Sequence, residues 1–453
     1  MALFDRTRTE IERRHEVLPH EVGDWYEKAV ANVDNLGVHR SQFLALKIMM
    51  DGLQKRQTDL LDSLSTTLPP EQFADIYYKL NNEIVGAHEL WRIFSYIIAQ
   101  HQSERFGPLL DAADLIAANC YRTCIEQATL WGVIEQQEFR EPPLVYLEAD
   151  ISPSTASRGY SPAALSFPVR FYRTLRLPIP IVLLPYDQAD SIWMQATLHH
   201  EVGHNVDQDL NLKQELVSHL LTRLDQEQAT DEHKTRWIEW AGEVLADAFG
   251  VLLGGAGFAY ALNSLLAVLA PAPQFQTLNE ADPHPPFYVR MHLLAALLRQ
   301  HGFDELNRAA NAVMETWNQS QKPNWVTAYT AHSRAVAEVF TTKPLAALKN
   351  HSLSELVPSL DSDTKRARRL SDALSSGFNY PNVGTPESPF PYRLVPAAAQ
   401  LAVNADGSQS QVLDNIQKQT LDFLKRIPRP DWLSGIDRSH FLSQLTLDLD
   451  FSQ

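Results

Sequence analysis

Cysteine is almost missing from this chain, with only Cys120 and Cys124 among 453 residues. A small disulfide-stapled scaffold is therefore excluded, and a reducing, cytoplasmic setting is the default expectation. In "NCYRTCIEQ" the two thiols lie four apart on one helical face, where they are expected to pack rather than pair. Basic charge is short as well: 39 Lys plus Arg stand against 55 Asp plus Glu, for a formal net charge of -16. A nucleic-acid partner is disfavoured, because such proteins present a basic surface to phosphate. The opening "MALFDRTRTEIERRHEV" lacks the apolar core that a secretory leader needs. No repeat recurs at a fixed period. Long apolar runs are scarce; one, "FGVLLGGAGFAYALNSLLAVLA" at 249–270, is about long enough to cross a bilayer. Its clustered glycines, the internal Asn263-Ser264 and the acidic segment ahead of it favour a buried core helix instead. That element could also be a helix pair broken at Gly254-Gly255. No membrane partner is expected.

What is present reads as a globular protein, with 44% apolar and 21% charged residues. The length allows two or three domains. Residues 1–138 carry helical spacing throughout, for example Phe43, Leu46, Met50 and Leu53, then Phe73, Ile76, Leu80 and Ile84. Pro70 suits the first turn of the second of these helices. A bundle of about four helices is expected there, with a regulatory or recognition role. From Glu141 onward the strand candidates are Leu144–Leu147, Val169–Tyr172 and Ile179–Leu184. Pro178 and Pro180 cannot donate ladder hydrogen bonds, which places the last strand at a sheet edge. Residues 139–349 form the expected central domain, and 350–453 a helical and loop-containing extension. The expected fold class is mainly α (α+β), with a small sheet.

The chemistry concentrates in "LHHEVGHNVD", residues 198–207. His200 and His204, four apart on a helix, project from one face about one turn apart, so two ring nitrogens can reach one Zn²⁺ about 2 Å away. Glu201 is one step round the helix, suited to taking a proton from an activated water and passing it to a leaving amine. Gly203 leaves room for a neighbouring strand to press close. His199 points about 100° away from His200 and reads as structural; the near miss "HELWR" at 88–92 reads as helix surface. Downstream, "WIEWAGEVLADAFGVLL" sets Glu243 and Asp247 four apart in apolar company. Two carboxylates there are costly to bury without partners. Both costs are met if Glu243 binds the metal and Asp247 accepts the free ring N–H of a ligating histidine. Finally, "DPHPPFYVRMHLL" presents His284 on a rigid Pro-Pro turn, with Arg290 at the opening of an apolar helix and His292 read as structural.

H-E-x-x-H, then "EVLAD", then "HPPFYVR" resemble the gluzincins, zinc metallopeptidases with a glutamate ligand. Their order is most similar to the CaaX-prenyl-endopeptidase and HtpX group, over about residues 180–300. The resemblance implies a zincin-like domain with zinc held by His200, His204 and Glu243, and Glu201 as general base. It implies Asp247 as the group that orients a ligand, and His284 and Arg290 as supports of the site or the transition state. The membrane helices of those relatives have no clear counterpart here. The longer metzincin motif is excluded, because it needs Gly at 207 and His at 210, where Asp207 and Leu210 stand.

The expected function is therefore a soluble zinc peptidase acting on a protein or peptide. His284 and Tyr288 are the expected oxyanion donors, with Tyr186 third, and the substrate is expected to lie along Ile179–Leu184 as an added strand. The alternatives are a metal-holding scaffold whose helical N-terminal region mediates interactions, and a coincidental pattern.

Overall fold

The protein was analysed as a computed structural model that describes residues 2–31, 40–135, 140–150, 152–158, 179–269, 278, 282–318, 325–358, 360–377, 380–406 and 409–429. The expected strand Val169–Tyr172 lies outside the described residues. Helices dominate, around one small mixed sheet, as the spacing of apolar residues indicates.

Four helices open the chain: α1 (Ala2–Ala31), α2 (Arg40–Ser63), α3 (Pro70–His101) and α4 (Gly107–Leu130). Pro70 starts α3, where its missing N–H costs nothing. The first three pack on one another, whereas α4 belongs to the core that surrounds the histidine helix. Cys120 and Cys124 are buried in that core as free thiols, and burial pushes the Cys124 thiol up to about 12.

The sheet comprises β1 (Leu144–Glu148), β2 (Ser154–Ala156) and β3 (Ile181–Pro185), in the order β1-β3-β2. It is a layer between two cores. Leu144, Tyr146, Ile181 and Leu183 face the N-terminal helices, while Val145, Leu147, Val182 and Leu184 face α4 and the histidine helix. Alternation with both faces apolar is what a doubly covered sheet requires. β3 is the central strand, parallel to β1 and antiparallel to β2, which corrects its expected edge position. Pro180 precedes the ladder, and its carbonyl still accepts from the Leu144 N–H at 2.9 Å, so the prolines cost the strand no central hydrogen bond.

The two outer edges differ. On β1, the Val145 N–H donates to Asp114 Oδ1 at 2.8 Å, and Gln100 bonds both the N–H and the C=O of Leu147. Side chains of α3 and α4 thus close that edge. β2 pairs only with β3 among the described residues, and its other side faces the cleft described below.

Next come α5 (Leu198–Leu210), α6 (Lys213–Gln226), α7 (Asp231–Glu239) and α8 (Ala241–Leu269). Asn211, left-handed at φ 52°, ends α5, and the Asp207 carboxylate accepts from the N–H groups of Leu212 and Lys213 beyond it. α5 packs directly on α8. A Cβ at Gly203 would stand 2.9 Å from Phe249 Cβ and 3.1 Å from Ala246 Cα. The element pressing on Gly203 is therefore a helix, where a strand was expected.

α8 contains most of the apolar run, and its apolar window is 94% buried. It breaks at Gly255, whose φ 56° and ψ -136° suit glycine alone. The break frees the Leu253 carbonyl, which accepts from buried Arg393 Nη1 at 2.9 Å; Arg393 in turn pairs with Asp363. The chain continues through α9 (Phe287–Arg299), α10 (Asp304–Asn318), α11 (Ser333–Thr342), α12 (Leu360–Ser376), α13 (Leu394–Asp406) and α14 (Ser410–Arg426). Leu370, Tyr392 and Phe423 share one core with Val202, Val206 and Phe249, so the late helices buttress the histidine helix.

Candidate metal centre

α5 and α8 bring together the residues that the motifs separate by about 40 positions. His200, His204 and Glu243 form the group of ligand-type side chains, among the described residues, whose donor atoms all lie within 4.8 Å of one another. The separations are tighter than that limit. His200 Nε2 is 3.2 Å from His204 Nε2 and 3.2 Å from Glu243 Oε2, and His204 Nε2 is 3.4 Å from Glu243 Oε1. Donors about 2.0–2.1 Å from a tetrahedral ion stand about 3.3 Å apart. The two rings and the carboxylate are therefore close enough together to share one ion.

Two further observations support the fit. Glu243 Oε2 is buried and meets the rings of His200 and His284 at 3.2 and 3.3 Å without a well-formed hydrogen bond, an arrangement that a cation would complete. The two ring nitrogens also face each other at 3.2 Å, a separation that suits two ligands of one ion. Burial opposes the charge on Glu243, but its bonds to His200 and His204 outweigh that and hold the carboxyl well below its usual range. Burial likewise disfavours charge on His200, yet Asp247 and Glu243 overcome it and raise the ring to about 10.

Asp247, fully buried, lies behind His200. Its Oδ1 is 2.9 Å from His200 Nδ1, and its carboxylate receives Nε and Nη2 of Arg290 at 2.8 and 2.7 Å. A ring that donates Nδ1–H to a carboxylate keeps its Nε2 lone pair free and aimed forward. Arg290, from α9, neutralises the buried acid. Burial opposes ionisation of Asp247, but Arg290 and His200 win and lower its pKa.

Glu201 is 6% exposed and lines the cleft beside the two rings. Burial raises its carboxyl, with His200 and His204 pulling the other way. A carboxylate so raised is better matched to proton exchange near neutral pH. His284 stands across the cleft, its side chain 47% exposed, with Nε2 3.3 Å from Glu243 Oε2 and Nδ1 2.8 Å from Asp282 Oδ1. The reading of the sequence missed Asp282; its only signal is a place two residues before His284.

Tyr288 is placed elsewhere. It is 3% exposed, edge-on to Trp317 in the core, because α9 begins at Phe287 and turns that face toward α10; Phe287 and Arg290 face the cleft instead. Tyr186 bonds the Tyr96 hydroxyl and packs on Phe106, apart from the residues that line the cleft. His199 is wholly buried between the carbonyls of Ala196 and Arg393, a structural position, and burial lowers its ring to about 4.

The cleft of about 470 Å³ runs from β2 across the centre to the start of α8. Ser154, Thr155 and Ser157 form one bank, with Lys213, Glu239 and His284 among the residues opposite. The strand that lines this cleft is β2, and Ile179–Leu184 is not among the lining residues. β2 escaped notice in the sequence because three small, half-exposed residues among serines and prolines carry no apolar alternation. It is tied to α5 by Asn205 Nδ2, which donates to Thr155 Oγ1 at 2.9 Å. Arg158 follows it, bonding Asp209 at 3.1 Å and Glu141 at 3.0 Å.

Comparison with known protein families, curated proteins and solved structures finds no match to this chain. The likeness to the gluzincins rests on the motifs and on the centre they build.

Proposed function

We propose that the protein is a zinc-dependent peptidase. The observation that carries this reading is the cluster of His200, His204 and Glu243 with a buried Glu201 beside it. A purely structural ion needs no such base and takes a fourth protein ligand. Zinc held by His200, His204 and Glu243 supplies a Lewis acid for a carbonyl and brings the pKa of water to about 7.

The chain's own residues account for the rest. The peptide backbone adds to the edge of β2 that has no partner strand among the described residues, presenting its carbonyl over α5. Glu201 removes a proton from the attacking water and delivers it to the departing amine. The His284 ring faces the oxygen on which charge develops and donates to it, while Asp282 fixes the ring. Asp247 and Arg290 hold His200 in register.

The decisive comparison is between the wild type and Glu201→Gln, each assayed for zinc content and for peptides released from a cell lysate. The expected result is equimolar zinc in both, with chelator-sensitive cleavage in the wild type alone. Zinc without cleavage in either protein would leave a metal-holding scaffold.

A further inference from the structure

The bank of the cleft opposite β2 is built from the starts of α6 and α8. Lys213, the first residue of α6, is the one lysine or arginine among the described residues that line the cleft. Its side chain lies across the first turn of α8, where Gly242 leaves the path open. A Cβ at Gly242 would stand 3.4 Å from Lys213 Nζ and 3.9 Å from its Cε. The next residue along α8 is Glu243, so the ammonium rests one position away from the three-donor group. No carboxylate among the described residues pairs with it. The acids that line the same space are Glu201, Asp207, Glu239 and Glu243, and each is occupied elsewhere. Asp207 accepts from the backbone N–H groups of Leu212 and Lys213, and Glu239 pairs with Arg236 at 2.7 Å. Glu243 meets His200 and His204 at 3.2 and 3.4 Å, and Glu201 is buried beside those rings.

We propose that Lys213 binds a carboxylate of the substrate, from an acidic side chain close to the cut bond or from the end of the peptide; the assignment rests on the peptidase reading above. A peptide laid along β2 spans the cleft from the serine bank, and groups that it sends across meet Lys213 on the far side. A compact ammonium on a flexible stem accepts a carboxylate without demanding one fixed geometry. An amide in the same place gains little, and a second cation is repelled. Because acids surround Lys213, the preference for a carboxylate is local to this one side chain and does not come from a general positive field. Reversing its charge must therefore reverse the preference. The pair is open to water, so its effect is a few-fold and falls with salt.

The test is equilibrium binding to the zinc-loaded full-length protein, so that it does not depend on turnover. The probes are short peptides with a hydroxamate at one end, in two sets. With the hydroxamate at the amino end, the nearest side chain is glutamate or glutamine and the far end is a carboxylate or an amide. With it at the carboxyl end, only glutamate and glutamine are exchanged. At least one acid should bind about three- to fivefold tighter than its amide counterpart at low ionic strength. The difference should vanish in about 1 M salt. Lys213→Arg should keep the ratio of acid to amide affinity, Lys213→Gln should bring it to about one, and Lys213→Glu should invert it. Each ratio is taken within one protein, so a loss of folded material does not enter. A preference at the side chain identifies an acidic residue as the ligand and one at the far end identifies the chain terminus; either upholds the proposal. Equal affinity in every acid–amide pair, or an unchanged ratio in Lys213→Glu, overturns it while the metal centre stands. Acid preference without any cleaved peptide upholds the Lys213 site and removes the peptidase reading. Failure of every hydroxamate to bind overturns both.

Discussion

The carboxylate of Asp247 lies 2.9 Å from Nδ1 of His200, on the side of the ring opposite the shared donor point. That contact fixes which nitrogen carries the proton and how the ring is turned. Asp247→Asn keeps the shape but removes the charge, and an amide oxygen is a weaker acceptor for both the ring and Arg290. Zinc affinity should fall about 10- to 100-fold, measured by competition against a chelating dye. Unchanged affinity would mean that His200 is oriented by packing alone.

Asp282 and His284 allow metal binding to be separated from chemistry. Neither belongs to the three-donor group, yet Asp282 Oδ1 receives the His284 ring at 2.8 Å and its backbone N–H at 3.0 Å. His284→Ala should lower kcat by about 10²–10³, the usual cost of losing an oxyanion donor. Asp282→Asn should lower it less and in the same direction. Zinc content should be full in both variants; loss of zinc in His284→Ala would make that ring a ligand instead.

The helical parts of the centre were legible because helix geometry is local. Positions four apart face together wherever a helix forms, so His200 with His204, and Glu243 with Asp247, could be paired on sight. Their convergence is long-range, and it became readable only through the order of three motifs. Sheet order had no such signature: nothing near Ile181–Pro185 reveals that β1 and β2 arrive on either side. Proline chemistry argued for an edge, and the register began one residue later. Tyr288 shows the same limit, since one helical step separates the cleft-facing Phe287 from the core. The break at Gly255 was foreseeable from Gly254-Gly255, but the direction of the second half was not.

Buried neutral histidines set an acid limit on the fold. Burial lowers His301 to about 4, and His199 likewise, whereas an unfolded ring titrates near ~6.5. Between these values the unfolded chain binds protons that the folded one refuses, so stability rises with pH across that window and is complete above it. The melting temperature should therefore fall as pH is lowered from about 6.5 toward 4. His301→Phe should lose less between pH 7 and 5 than the wild type does. An equal loss would assign the acid sensitivity to other groups.

Arg158 gives the sharpest test of the docking edge. It leaves β2 and enters a buried site, with Asp209 at the end of α5 on one side and Glu141 on the other. The Tyr121 hydroxyl donates to the same Asp209, and Arg140 Nη1 donates to the Asp209 carbonyl at 2.8 Å. This anchor sets the spacing between the strand and the histidine helix without touching the three donors. Arg158→Gln removes the charge shared by two buried acids, while Arg140 and Tyr121 still hold Asp209, and it should lower stability by about 1–3 kcal/mol, read from denaturant unfolding. In the fraction that stays folded, zinc affinity should be unchanged, KM should rise several-fold and kcat should change less. A substrate held by side chains alone would be indifferent to the strand's position and would leave KM where it was, whereas backbone pairing along β2 cannot survive displacement of that edge.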